Sequence, residues 1–289
     1  MTSPIWPKPL VSTGWLLENL KNPKVRILDS STHLIPKPDL SLYTVLPAFD
    51  EYKEGHIPNA QFIDIEHELS TPHPELHFML PSAELFAETL SRLGINGETM
   101  VVIYSTTNHW WATRLWWTFK VFGHTNVAVL DGGFQKWASE KKPTESGMAA
   151  TVDQGNYPAR EANKTLIADK DLILERLNKE PASLINALRR EQHEGRGGVN
   201  YGRRGHIKNS INLPAIEHVN QDNTFKSINE LRTIFSETLK HNEVIAYCGG
   251  GIAATSVALA LDMLGHKNVK VYDASLTEWA SDETLPMSI

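Results

Sequence analysis

The chain is written twice. A repeat of about 145 residues runs through nearly its whole length, far longer than a solenoid period, and marks a duplicated domain. Gly55-His56-Ile57-Pro58-Asn59-Ala60 is echoed by Gly205-His206-Ile207-Lys208-Asn209-Ser210, and Val101-Val102-Ile103-Tyr104 by Val244-Ile245-Ala246-Tyr247. Gly123-His124-Thr125-Asn126-Val127 returns as Gly265-His266-Lys267-Asn268-Val269, Asp131 as Asp273, and Trp137-Ala138 as Trp279-Ala280. Near the start of each half, Ile27-Leu28-Asp29 matches Leu184-Ile185-Asn186. Any fold must therefore be buildable twice, and 289 residues suffice for two separate cores.

The halves differ where chemistry is expected. Cys248, the only cysteine, follows the apolar run Val244–Tyr247, which reads as a buried strand, and precedes Gly249-Gly250-Gly251. A helix is expected to begin near Ala253. Such a loop can turn several N–H groups toward one centre and adds the positive end of a helix dipole, which favours a thiolate, the reactive form of cysteine. In the first half Ser105 holds the equivalent place and Thr106-Thr107-Asn108-His109 replace the glycines. That half has lost the cradle, so its expected role is structural, as a wall of the cleft.

Spacing separates the chemistries that use such a loop. A cysteine phosphatase needs an arginine for bidentate grip on the phosphoryl group where this chain has Ala254. A P-loop needs Gly-Lys followed by Ser or Thr, and this loop has no lysine. Gly249, Gly251 and Ala254 do satisfy a relaxed dinucleotide-binding pattern, with Asp273 near the place of a ribose-binding carboxylate. That unit normally opens a domain with several strands to follow, whereas only residues 274–289 follow here.

Taken together, Glu51-Tyr52 before Gly55-His56-Ile57-Pro58, Val121-Phe122-Gly123-His124 before Leu130-Asp131-Gly132-Gly133-Phe134, the Cys248–Ala254 loop, and Tyr272-Asp273-Ala274-Ser275 with Glu278-Trp279 resemble the tandem-domain rhodanese family, the thiosulfate and 3-mercaptopyruvate sulfurtransferases. The resemblance implies an α/β fold of two tandem rhodanese-like domains, each a parallel sheet flanked by helices, with an inactive first copy and a catalytic second. It implies a Cys248 persulfide, formed from a small anionic sulfur donor and passed to a thiol, cyanide or thioredoxin-like acceptor. The N–H groups of Gly249, Gly250, Gly251, Ile252 and Ala253 would cradle that anion, and no cofactor is implied.

The chain departs from the family around the donor. Mercaptopyruvate-type loops usually carry Ser or Thr at the place of Gly250, and thiosulfate-type loops carry basic residues directly after the cysteine. Position 253 is alanine instead of threonine, Asn186 replaces an aspartate, and Leu188 and Gln192 stand where substrate-gripping arginines are common. Arginines at 189, 190, 196, 203 and 204 lie nearby, and Arg196 and Arg203 are the expected anion ligands. From the first copy, His77 and Glu66 are carried over as candidates for orienting substrate or moving a proton. The spacing of His67, His73 and His77 suits no zinc pattern, so no metal is expected.

Composition narrows the alternatives. A net charge of −6 without a basic block argues against nucleic acid. No segment is long and apolar enough to cross a membrane, and the proline-rich residues 1–10 do not resemble a leader, so a cytoplasmic location is expected. A single cysteine suits a reducing compartment. Residues 1–142 read as the first domain, 143–164 as a linker rich in proline, glycine and small polar residues, and 165–289 as the catalytic domain. Trp110, Trp111, Trp116 and Trp117 read as core or interdomain packing. Three classes stay open: a sulfurtransferase, a non-catalytic sulfur-relay or binding module, and a dinucleotide-dependent oxidoreductase.

Overall fold

The computed structural model describes residues 9–178 and 183–289. The first half runs β1 (Leu10–Val11), α1 (Thr13–Asn19), β2 (Val25–Asp29), β3 (Thr32–Pro36), β4 (Tyr43–Pro47), α2 (Phe49–Glu54), β5 (Ala60–Phe62), α3 (Ile65–Glu68), α4 (Ala83–Arg92), β6 (Met100–Tyr104), α5 (His109–Val121), β7 (Val127–Leu130) and α6 (Gly133–Ser139). The second runs β8 (Ile167–Ala168), α7 (Lys170–Asn178), β9 (Ser183–Asn186), α8 (Arg190–His193), β10 (His206–Ile207), β11 (Ile211–Asn212), α9 (Ile228–Ile234), β12 (Val244–Tyr247), α10 (Ala254–Met263), β13 (Val269–Tyr272), α11 (Ser275–Trp279) and β14 (Met287–Ser288).

Each half builds one five-stranded parallel sheet, in the order β1-β7-β6-β2-β5 and β8-β13-β12-β9-β11. The orders correspond strand for strand, so the repeat in sequence is a repeat in topology. The central strands β6 and β12 are buried at every position, as expected of parallel strands covered on both faces. Matching details recur in the two halves. Tyr104 and Tyr247 accept, on their hydroxyl oxygens, the N–H groups of Ile57 and Ile207. Trp137 and Trp279 donate their indole N–H groups to the carbonyls of Pro143 and Pro286. Gly123 and Gly265 follow the helix ends at φ 74° and 81°, the left-handed conformation glycine adopts without a Cβ penalty.

The helices that follow the two equivalent loops, α5 and α10, are buried around most of their surface and pack against each other at the junction of the halves. Trp111, Trp116 and Trp117 belong to that packing. Residues 143–163 are no free tether. Glu145 pairs with His56, Gly147 N–H donates to Lys53 O and Asn163 N–H to Val121 O, while Tyr157 is buried beside Phe86.

One element breaks the symmetry. The antiparallel hairpin β3–β4 belongs to the first half alone, and where the second half should repeat it the chain runs through α8 and the loop 194–205. The hairpin turn reaches that loop, with Asn200 N–H donating to Leu40 O at 2.8 Å.

Candidate active site

Cys248 follows β12, at the carboxyl end of a central strand, where open α/β sheets place their ligands. The residue is 2% exposed and lines a cavity of about 160 Å³. The loop is held from behind by Ser275, whose Oγ accepts the N–H groups of Cys248 at 3.1 Å and Gly251 at 3.2 Å and donates to Tyr272 O at 2.7 Å. Ser275 has φ 52°, and its counterpart in the first half, Gly133, has φ 58°. A left-handed serine costs roughly 1–3 kcal/mol of local strain, offset here by three hydrogen bonds that no glycine could make. Thr277 fixes the next carbonyl, donating from both N–H and Oγ1 to Gly249 O.

Each loop glycine answers a close approach. A Cβ on Gly249 would stand 2.0 Å from the Tyr201 ring, and one on Gly251, at φ 74°, would stand 2.3 Å from Asp273 O. Gly250 lies beneath the Tyr43 hydroxyl. The N–H groups of Gly249, Gly250, Ile252 and Ala253 have no protein acceptor among the described residues. Gly251 does not join them, because its N–H is committed to Ser275, a correction to the five-donor cradle expected from sequence.

Both halves wall the cavity. Leu34 and Tyr43 come from the hairpin and Trp110 from α5, while Leu188, Arg189, Gln192, Tyr201 and Ile216 come from the second half. Tyr43 and Tyr201 meet edge to face with centroids 6.5 Å apart. Burial, reinforced by the Cys248 side, pushes the Tyr43 phenol well up, and burial does the same for Tyr201 with Tyr43 adding to it. Both therefore face the thiol as neutral O–H groups.

Behind the loop lies a buried ion pair between the halves. Arg114 Nη1 of α5 donates to Asp273 Oδ1 at 2.6 Å and to Gly251 O at 3.2 Å, and its Nη2 donates to Phe78 O. Leu80 N–H donates to Asp273 Oδ2 at 2.9 Å. With both carboxylate oxygens engaged and the residue buried, Asp273 cannot serve a ribose, which removes the physical basis of the dinucleotide alternative.

The expected substrate arginines are elsewhere. Arg203 donates to four carbonyls, those of Trp279, Ala280, Asp282 and Leu285, and so ties the loop 194–205 to the last turns of the chain. Arg196 is exposed and paired with Glu194. Neither lines the cavity that holds Cys248; Arg189 does. His77 and Glu66 are brought together, Nδ1 to Oε1 at 2.5 Å, and Glu66 Oε2 also accepts Phe78 N–H. The pair stands behind Tyr43, whose ring centroid is 6.0 Å from that of His77, instead of lining the cavity. Trp110, read as packing, turns out to line it.

Sequence reading passed over Tyr43, Tyr201 and Arg114, named Ser275 only within a motif, and named Arg189 among the nearby arginines without choosing it. Arg189 carried a usable signal, since Asn186-Ala187-Leu188-Arg189 leaves β9 at the same sheet edge as Cys248. Arg114, on the face of a helix rich in tryptophan, carried none. No group of three or more His, Cys, Asp or Glu side chains among the described residues is placed to hold a metal. No helix among them is long and apolar enough to cross a membrane. A larger cavity of about 690 Å³ lies against the first half, under residues 148–152, and contains no nucleophilic thiol.

The family profile described as rhodanese-like domain matches the chain twice, at residues 12–140 and 170–282. A thiosulfate sulfurtransferase of Rattus norvegicus is 34% identical over 284 residues, covering 93% of this chain and 91% of the relative. The sulfur carrier protein TtuD of Thermus thermophilus is 33% identical over 297 residues, covering 98% and 97%. Among solved structures, the 3-mercaptopyruvate sulfotransferase SseA of Escherichia coli superposes with a TM-score of 0.80 at 31% identity, covering 92% of this chain and 98% of that one.

Proposed function

The chain belongs to the rhodanese family, and we propose that it is a sulfurtransferase whose catalytic domain is residues 165–289, with 1–142 as a copy that has lost its thiol. The observation that carries this reading is the placement of Cys248: the only cysteine of the chain directly follows a central strand, inside a loop whose N–H groups at Gly249, Gly250, Ile252 and Ala253 have no protein acceptor among the described residues.

In this mechanism the Cys248 thiolate attacks the transferable sulfur of an anionic donor, the outer sulfur of thiosulfate or the thiol sulfur of 3-mercaptopyruvate. The bond from that sulfur to the rest of the donor breaks, and its electron pair leaves with sulfite or with the enolate of pyruvate. The resulting persulfide carries its negative charge on the outer sulfur, within the four N–H groups, an arrangement of the oxyanion-hole kind. A thiol, cyanide or thioredoxin-like acceptor then takes that sulfur and regenerates the thiolate. Arg189 anchors the donor anion, and the His77–Glu66 pair orients Tyr43 above the loop.

Intact mass tests the reading. Wild-type protein exposed to thiosulfate, and separately to 3-mercaptopyruvate, should gain one sulfur atom that a reducing thiol removes, and Cys248→Ser should gain none. Absence of the gain with both donors would overturn it. A second reading, a sulfur relay that accepts persulfide sulfur but turns over small donors slowly, is supported by the likeness to a protein named as a sulfur carrier. It predicts the same mass gain with negligible steady-state turnover on cyanide.

A further inference from the structure

The hydroxyl above the thiol loop comes from a hairpin that only the first half possesses. In β3–β4, Leu34 pairs with Val45 and Pro36 with Tyr43, and successive side chains alternate between two faces. Ile35 and Leu46 turn to solvent, about half exposed, while Leu34 and Tyr43 line the cavity that holds Cys248. Tyr43 is buried, its ring set against those of Tyr201 and His77. Its oxygen stands 3.2 Å from where a Cβ on Gly250 would be, over the middle of the loop. Among the described residues that hydroxyl has no hydrogen-bond partner. Buried hydroxyls are normally paired, so an unpaired one facing a cavity is an open position for an acceptor on a ligand.

The other polar groups around the sulfur are accounted for. The N–H groups of Gly249, Gly250, Ile252 and Ala253 belong to the loop itself and have no protein acceptor among the described residues. Arg189 is cationic but exposed, so water and salt screen it. Gln192 and the Trp110 indole are neutral wall groups, and Gln192 engages the Tyr201 hydroxyl. Nearby charges already have partners, Glu66 with His77 behind the Tyr43 ring and Asp273 with Arg114 behind the loop. Burial first, then charge on Cys248 and Glu66, pushes the Tyr43 phenol up, so it keeps its proton beside an anion.

Resting on the sulfurtransferase reading, we infer that Tyr43 is a catalytic residue whose O–H donates a hydrogen bond to the outer sulfur of the Cys248 persulfide, joining the four loop N–H groups. No proton is transferred. The donor favours the anion and draws charge from the sulfur that an acceptor must attack. The catalytic half is therefore incomplete without the hairpin of the other.

The test compares wild type, Tyr43→Phe, and Tyr43→Phe combined with Gly250→Ser. Phenylalanine keeps the ring contacts with Tyr201 and His77, so the urea midpoint should not move. After loading with thiosulfate or 3-mercaptopyruvate, the absorbance of the persulfide anion is titrated against pH; Cys248 is the only cysteine, so the signal has one source. Its midpoint should rise by about one pH unit in Tyr43→Phe, the scale of a hydrogen bond to a charged group. Turnover with cyanide should fall about tenfold. Gly250→Ser places a new hydroxyl beside the one removed, and should bring both values part of the way back. An unmoved persulfide midpoint in Tyr43→Phe overturns the inference even if turnover falls, because altered packing also slows turnover. If wild-type protein takes sulfur from neither donor, the sulfurtransferase reading itself fails.

Discussion

Thr113 and Thr255 meet hydroxyl to hydroxyl at 2.8 Å between α5 and α10. They are equivalent residues of the two halves, each the same distance before the glycine that follows its helix, Gly123 or Gly265. A residue that touches its own counterpart marks a local twofold axis. The same symmetry recurs at the rim, where Asp131 of the first half accepts Phe225 N–H from the second, and Asp273 of the second accepts Leu80 N–H from the first.

Both threonines are fully buried, and each hydroxyl also reaches a carbonyl of its own chain segment, Thr113 to Trp110 O at 3.1 Å and Thr255 to Ile252 O at 2.7 Å, so replacing one removes the shared hydrogen bond without stranding the other hydroxyl. Thr113→Val and Thr255→Val should each cost about 0.5–1.5 kcal/mol, and the double variant should cost clearly less than their sum. Urea midpoints of the four proteins close the cycle; strict additivity would show that the contact is unimportant.

The Arg114–Asp273 pair is buried between the halves, its side chains 1% and 7% exposed, so breaking it leaves a charge inside the protein. Asp273→Asn or Arg114→Met should cost about 3–5 kcal/mol. Arg114→Met should also lower kcat, since the guanidinium holds the Gly251 carbonyl. Stability curves and turnover, measured together, would reveal a variant that loses one without the other.

Gly249 and Gly251 should fail differently. Gly249→Ala collides with the movable ring of Tyr201, so adding Tyr201→Ala should restore part of the persulfide yield. Gly251→Val collides with the backbone oxygen of Asp273 in a left-handed conformation, and no side-chain deletion should rescue it. Mass spectrometry of sulfur loading reads both.

Arg203→Ala should lower stability by about 1–3 kcal/mol, because four carbonyls lose their shared donor. Arg196→Ala should leave both stability and KM unchanged, as an exposed pair with Glu194 predicts. A large KM effect from either would return them to the site.

Two buried histidines make the junction acid-sensitive. Burial lowers His109 to about 4 and His218 to about 3, and Ser256 Oγ lies 2.8 Å and 3.4 Å from their rings. In the unfolded chain both protonate near pH 6.5, so stability is full above that value and falls as pH drops toward 4, by at most about 2.7 kcal/mol per pH unit. Asp29, raised to about 6 by burial, takes up its proton early in the folded state and offsets about half of that slope between pH 6 and 4. Urea midpoints against pH should therefore decline below 6.5, and His109→Gln with His218→Gln should flatten or invert the trend.

What could be read along the chain was whatever lies close together in it. The duplication, the strand ending at Cys248 and the glycine loop are local patterns, because backbone curvature and strand burial are set by neighbouring residues. The walls of the site are not local. Leu34, Tyr43 and Trp110 reach Cys248 because the halves pack about α5 and α10, and Tyr201 and Arg189 because their loops leave the same end of one sheet. Arginine choice shows the difference most plainly. Arg189, Arg196 and Arg203 are chemically identical in sequence, yet one lines the cavity from an exposed position, one is exposed and paired with Glu194, and one is consumed by carbonyls. Only the folded chain decides which cation keeps its hydrogen-bonding capacity for a ligand, because that depends on every acceptor brought near it from elsewhere.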